Sequence, residues 1–355
     1  MMNYEEFKKE VAENIKDYLP EEYADADVSM NQVFKNNDIA LDGLSIRAEG
    51  SNISPNIYLN SFYEKYQQGE EFSSIMENIA QIRTENEKAD FNLGGILDYE
   101  AVKDKITARL VNRENNEKLL SERPFTPVED LAVTYHLVLE KSSDGTASIP
   151  ISNEIMKQYG ITLSELHETA IQNTFSQENI KFIGMSQMMM EMMGADMPPE
   201  MMEALAMEEE KMYVLTNNEK LNGAIAVMDK DTMSDIAEKV GGNFFVLPSS
   251  IHEVLVIPES QGMDYKELEA MVKDVNSTQV SPEERLSDHV YKFDAKAREF
   301  TRADRENSMM RKESRNDKKP SILGQIKKIQ QEEKDNLSNK PGKETVKSSK
   351  KEMSL

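Results

Sequence analysis

Cysteine and tryptophan are both absent from this 355-residue chain. Without a thiol there is no disulfide framework, no Cys-ligated zinc module, no iron–sulfur cluster and no thiol nucleophile. Histidine is scarce, with four residues in all. Long apolar runs are missing too: a membrane span needs about 18 or more apolar residues and a secretory core about 7–15. The longest uncharged apolar-rich stretch, Val240 to Ile251, is broken by Gly241, Gly242 and Pro248. The N-terminal stretch alternates charge with apolar residues. A cytoplasmic protein with no membrane association is expected.

What the chain has in excess is negative charge. The net charge is −23, with 38% apolar and 30% charged residues. That balance allows a core while leaving part of the chain solvated. The charge is uneven: residues 301–355 carry +6 and the first 300 residues −29. So acidic a body repels phosphate backbones, which argues against direct nucleic-acid binding by it. The acidity has two readings, solubility alone, or a surface that docks a basic partner or mimics nucleic acid.

Periodicity divides the chain. Tyr4, Phe7, Val11 and Ile15 recur at three- and four-residue steps, predicting a helix that Pro20 ends. Val28–Lys35 and Ile39–Arg47 read as a hairpin about Asn36-Asn37-Asp38. Helices are predicted over Asn60–Gln67 and Glu71–Asn86, and near Tyr99. Strands are predicted over Lys105–Val111, Leu131–Glu140 and Ala147–Ile151. Two helices follow, the first stopped at Gly160 and the second opened by a Thr162/Glu165 capping-box spacing. Eleven of the 23 methionines lie between Met185 and Met212, over two expected helices. Beyond them, strands are predicted over Met212–Thr216, Gly223–Met228, Asn243–Leu247, His252–Ile257 and His289–Phe293. Helices are predicted over Thr232–Val240, with a Thr232/Asp235 cap, and Tyr265–Val275. From Asp294 onward the composition predicts a solvated helix fading into disorder.

The fold class is therefore α+β, mainly antiparallel sheets with helices packed on one face, plus a C-terminal helix and a disordered tail. Four regions are expected. They are an N-terminal α+β region over 1–180, a Met-rich helical insert over 181–211, a second α+β domain over 212–294, and a charged helix with a basic tail over 295–355.

No motif for bond-making chemistry is complete. His167-Glu168 and His252-Glu253 open a zinc-hydrolase pattern, but Ile171 and Val256 stand where the second histidine belongs. His136, His167, His252 and His289 are too few and too dispersed to suggest a metal site. Ser249 and Ser250 lie beside His252, yet Pro248-Ser249-Ser250 is ordinary turn composition. Gly184-Met185-Ser186-Gln187-Met188 lacks the second glycine of a nucleophile elbow. Gly342-Lys343 has Leu337 in place of the phosphate-loop glycine, and Asp229-Lys230-Asp231 lacks the rest of a calcium loop. No catalytic, cofactor or metal residues are assigned. The Met cluster has three readings: packing, an adaptable partner surface, or thioether binding of Cu(I). In the tail, Ile322, Leu323, Ile326 and Ile329 form a helical stripe behind Ser321, either a marginal helix without a partner or a short protein-docking helix.

Several stretches are similar to one known family. They are Ile15–Tyr23 (IKDYLPEEY), Ser54–Leu59 (SPNIYL), Glu129–His136 (EDLAVTYH), Ser148–Glu154 (SIPISNE), Tyr213–Asn217 (YVLTN) and Leu247–Val254 (LPSSIHEV). Their order and content resemble domain of unknown function family 5688, an uncharacterised family of Firmicutes. The resemblance implies a gene often carried on a mobile or conjugative element. It implies no activity and no site residues.

The expected function is a non-catalytic protein-binding or regulatory factor with an unidentified protein partner. The alternatives are an enzyme with a dispersed site, drawing on His136, Ser249, Ser250 and His252, and an acidic antagonist of a nucleic-acid-binding protein.

Overall fold

In the computed structural model, residues 1–49, 56–85, 95–142, 145–176, 180–193 and 210–305 are described, and every strand pairing among them is antiparallel. The chain divides into two units, Met1–Asp304 and Arg305–Leu355; the elements named below lie in the first.

The first sheet is β1 (Asp27–Phe34), β2 (Ala40–Arg47) and β3 (Asn56–Tyr58), in that order. The Asn36–Asp38 turn closes its hairpin with Asn37 at φ 62°. That left-handed conformation is one asparagine tolerates better than most residues. Helix α1 (Tyr4–Asn14) starts at Asn3, whose side chain accepts the Glu6 N–H while Glu6 returns a bond to the Asn3 N–H. It lays Phe7 and Val11 onto Leu44 and Ile46 of the sheet. Helices α2 (Asn60–Gln67) and α3 (Phe72–Glu85) complete this core through Phe62, Ile75, Met76 and Ile79. Arg83 is buried there, donating Nε to the Ile46 carbonyl at 2.7 Å with its guanidinium over the Tyr23 ring.

The second sheet holds β4 (Ile106–Asn112), β5 (Phe125–Val128), β6 (Leu131–Ser142) and β7 (Gly145–Pro150). The long β6 is central: it pairs β4 on one side and β5 then β7 on the other. Between β4 and β5 lies α5 (Glu117–Ser121), after the short α4 (Tyr99–Val102) earlier in the chain. Helix α6 (Asn153–Tyr159) ends at Gly160, φ 69°, as the glycine position predicts. Helix α7 (Leu163–Phe175) opens with the reciprocal Thr162–Glu165 capping box. Its Thr174 hydroxyl accepts the Ala108 N–H at 2.9 Å and so shields the edge strand β4.

The third sheet runs β13-β12-β10-β11-β9-β8. Its strands are β8 (Ile180–Gly184), β9 (Tyr213–Asn217), β10 (Phe244–Leu247), β11 (Val254–Pro258), β12 (Tyr291–Asp294) and β13 (Glu299–Arg302). The largest core lies between this sheet and the second. It joins Val133, Tyr135 and Leu137 of β6 to Phe244, Val246 and Phe293, with Leu166 and Ala170 of α7 between. Helix α8 (Met185–Met193) follows β8, and α9 (Lys230–Val240) adds Met233, Ile236 and Ala237 to this core. The opposite face of the third sheet, with Phe245, Leu247 and Ile257, is covered by Leu268 and Val272 of α10 (Tyr265–Thr278). Full burial of side chains of this size contributes about 1.5–3 kcal/mol each.

Four expectations need correction. Gly223–Met228 is a 3₁₀ segment, not a strand. Residues 224–227 are all buried, so the run carries no alternation to separate strand from tight helix. Helix α9 is capped by Asp229, which accepts the N–H groups of Asp231 and Thr232, and not by Thr232. The strand expected over His289–Phe293 spans Tyr291–Asp294 and is followed by another. That other strand, β13, occupies part of the segment taken for a solvated helix. It pairs Phe300 with Phe293, while its polar neighbours disguise it in the sequence.

Candidate functional site

A cavity of about 530 Å³ opens where α7, the 3₁₀ segment, α9 and the β12–β13 hairpin meet. Each element contributes by its own geometry. The capping box fixes the start of α7, and the four-residue step then puts His167 and Ile171 on one helical face. Hairpin register sets Phe293 opposite Phe300. Val128, Val227, Met228 and Met233 form the remaining apolar wall. Lys230, Arg298 and Glu299 are its charged members. Arg298 is held in place by Asp231 Oδ1 at 2.7 Å and Ser234 Oγ at 2.8 Å.

One polar chain runs along the groove wall. Thr126 Oγ1 and the Tyr135 hydroxyl are 2.6 Å apart, and that hydroxyl is 3.0 Å from His167 Nδ1. Burial pushes the Tyr135 phenol up to about 12, against the opposing effect of the Thr126 bond. Burial also holds the His167 imidazole below its ordinary value, with Glu168 opposing. Both groups are therefore uncharged at neutral pH. An apolar concavity with a few fixed polar groups is the form that binding sites take.

The Ser249, Ser250 and His252 turn is assembled otherwise. Ser250 is buried, and its Oγ accepts the backbone N–H of His252 at 2.9 Å. The His252 ring accepts the Asn222 N–H at Nδ1, 3.1 Å, and turns Nε2 toward Glu284 at 3.4 Å. The ring and hydroxyl of this pair are thus bonded to other groups, and the turn ties β11 to the 3₁₀ segment. Ser249 contributes its carbonyl to the Leu286 N–H.

His289 belongs to a polar strut. Its Nδ1 lies 3.3 Å from Glu269 Oε1 and 3.2 Å from Arg302 Nη2. Asp130, 2% exposed, accepts from the Tyr291 hydroxyl at 2.7 Å and from Ser287 at 2.8 Å, with Arg302 3.9 Å away.

His136, on β6, stands apart from these groups, near Arg109 of β4 and Arg123. Burial first, then those two guanidinium groups, hold it well below the usual imidazole value. Nothing local in the sequence links His167 to Tyr135 and Thr126. Their i, i+9 spacing along β5 and β6 gives no local signal. The stripe of Ile322, Leu323, Ile326 and Ile329 lies outside the described residues. Among the described residues, no group of three or more His, Asp or Glu is arranged to hold a metal ion. Among the same residues, no helix is long and apolar enough to cross a membrane.

The fold and groove define an α+β protein of antiparallel sheets with an apolar concavity at a sheet edge. The chain belongs to the Family of unknown function (DUF5688), whose family model matches residues 4–295. No curated protein and no solved structure matches it.

Proposed function

We propose that the protein is a non-catalytic binding factor that takes an apolar segment of another protein into the groove of Met228, Met233 and Phe300. The single observation behind this reading is that groove: about 530 Å³ and walled by methionine and phenylalanine. Thioethers adapt to varied apolar shapes, and aromatic rings supply large contact area. A cytoplasmic location and service to a mobile genetic element complete the proposal. Affinity capture from the native host with the full chain tests it, by quantitative mass spectrometry followed by binary binding with the purified partner. Phe300→Asp is expected to lose the partner while Leu221→Asp, at an exposed site elsewhere, retains it. Equal capture by both variants overturns the reading. Insensitivity of the complex to salt separates it from an acidic antagonist, whose binding weakens steeply with salt.

A second reading is an enzyme using His167. The Thr126–Tyr135–His167 chain beside the groove favours it. A turnover abolished by His167→Asn in a stably folded chain would establish that reading over the first.

A further inference from the structure

We propose that the outer face of the second sheet is a binding site for a dianionic phosphate group, free or as a monoester, held by Arg109, Arg123 and His136.

Strand register brings the three together. Arg109 of β4 lies opposite Thr134 of β6, and Thr107 opposite His136, so all four side chains project from one face. The Arg109 guanidinium crosses β6 to donate through Nη2 to Ser148 Oγ on β7. That path carries it over the strand next to His136. On the other flank, β5 begins at Phe125 opposite Thr134, and Arg123 lies two residues before it, near enough to His136 to act on its charge. There it meets the seam between β5 and β7, where the Ser121 and Glu122 carbonyls accept from Asn153.

The charges are uncompensated. Among the described residues Arg47, Arg298 and Arg302 each reach a carboxylate, whereas neither Arg109 nor Arg123 has one within 4.0 Å. Glu122 is near enough to favour the Arg123 charge but forms no ion pair with it. Lys141, at the rim, is paired with Glu219 at 3.1 Å. His136 is only 9% exposed, and among the described residues its ring has no hydrogen-bond partner. Two half-buried cations side by side repel one another. Burial and Arg123 bring Arg109 down to about 10. Two half-buried cations without a carboxylate partner are an arrangement that a bound anion would stabilise. A cavity of about 80 Å³ adjoins Arg109 on the side away from Arg123 and His136, lined also by Thr107, Thr146 and the Lys141–Glu219 pair. Two guanidinium forks, the Ser148 hydroxyl and a neutral imidazole form a donor set that matches the charge and oxygens of a phosphate dianion.

Isothermal calorimetry on the full chain tests this, titrating inorganic phosphate, methyl phosphate and acetate against sodium chloride at matched ionic strength. Saturable one-to-one binding of phosphate is expected, with acetate binding at least about tenfold weaker. Arg109→Gln and Arg123→Gln should each weaken phosphate at least about tenfold, as loss of a charge-assisted bond implies. Arg298→Gln should leave it unchanged. Preference for methyl phosphate over inorganic phosphate would assign the group to a monoester, and the reverse to the free ion. Without phosphate, each Arg→Gln chain should melt no lower than wild type, since a like-charge repulsion is relieved. If one variant fails to fold, the other carries the comparison. No heat beyond the chloride control, or undiminished binding by both variants, overturns the proposal.

Discussion

Tyr291 donates its hydroxyl to Oδ1 of Asp130 at 2.7 Å, joining β12 to the start of β6 across 161 positions of sequence. Phenol and carboxylate are both buried, so the bond is charge-assisted and shielded from water. Tyr291→Phe leaves Asp130 to Ser287 and the more distant Arg302. A loss of about 1.5–3 kcal/mol in urea unfolding at pH 7 is expected. Burial, then the Asp130 charge, raise the Tyr291 phenol well above its ordinary value. A raised folded-state value means the contribution is complete below the unfolded value of about 10 and fades as pH rises toward the folded one. Wild-type stability should therefore fall above about pH 10, and Tyr291→Phe should fall less steeply. Tyr4, Tyr135 and Tyr159 are raised in the same direction, so the variant keeps part of the slope.

Gly223 gives a second test. A β-carbon there would meet Thr216 Oγ1, the His252 carbonyl oxygen at 2.6 Å and the Asn217 nitrogen at 2.7 Å. Two of these are backbone atoms and cannot step aside. Gly223→Ala should cost about 1–3 kcal/mol by chemical denaturation, the range of overpacked interiors.

His136 predicts an acid limb. Its folded-state value lies well below 6.5, so its contribution is complete above the unfolded value and is lost as pH falls toward the folded one. Unfolding between about pH 6.5 and the folded-state value should take up one proton at this residue, at most about 1.4 kcal/mol per pH unit. His136→Gln should remove that increment from the slope of stability against pH, measured by urea titrations in a phosphate-free buffer.

The cap of α9 separates two neighbours. Asp229 accepts two first-turn N–H groups and the Thr232 hydroxyl. Asp229→Ala should cost about 1 kcal/mol, within the range for N-cap removal, and Thr232→Ala less. Equal losses would mean that the threonine bond, not the cap, carries the stability.

Much of this fold was legible because local chemistry and global packing agree. The Thr162–Glu165 box, the Gly160 stop and the alternation through Ile106, Ala108 and Leu110 each read correctly in isolation. Legibility failed where burial erased alternation, as in Ala224 to Val227, and where a strand was short and at the sheet edge, as in β13. Phe125–Val128 was missed because it is four residues long and carries Pro127, and Ile180–Gly184 because its partner Tyr213–Asn217 lies across a long insert. The candidate sites were less legible still. Phe300 and Met228 meet only after hairpin, helix and 3₁₀ segment are assembled, and Arg109 and Arg123 meet only across β6. Ser250 beside His252 invited a catalytic reading that backbone bonds explain.

The most direct measurement is hydrogen exchange on the full chain, free and in complex with the partner it captures. Slowed exchange confined to α9, the 3₁₀ segment 223–228 and the β12–β13 hairpin is the predicted result. Slowed exchange elsewhere with those three segments unchanged would contradict the claim that this groove is the working surface.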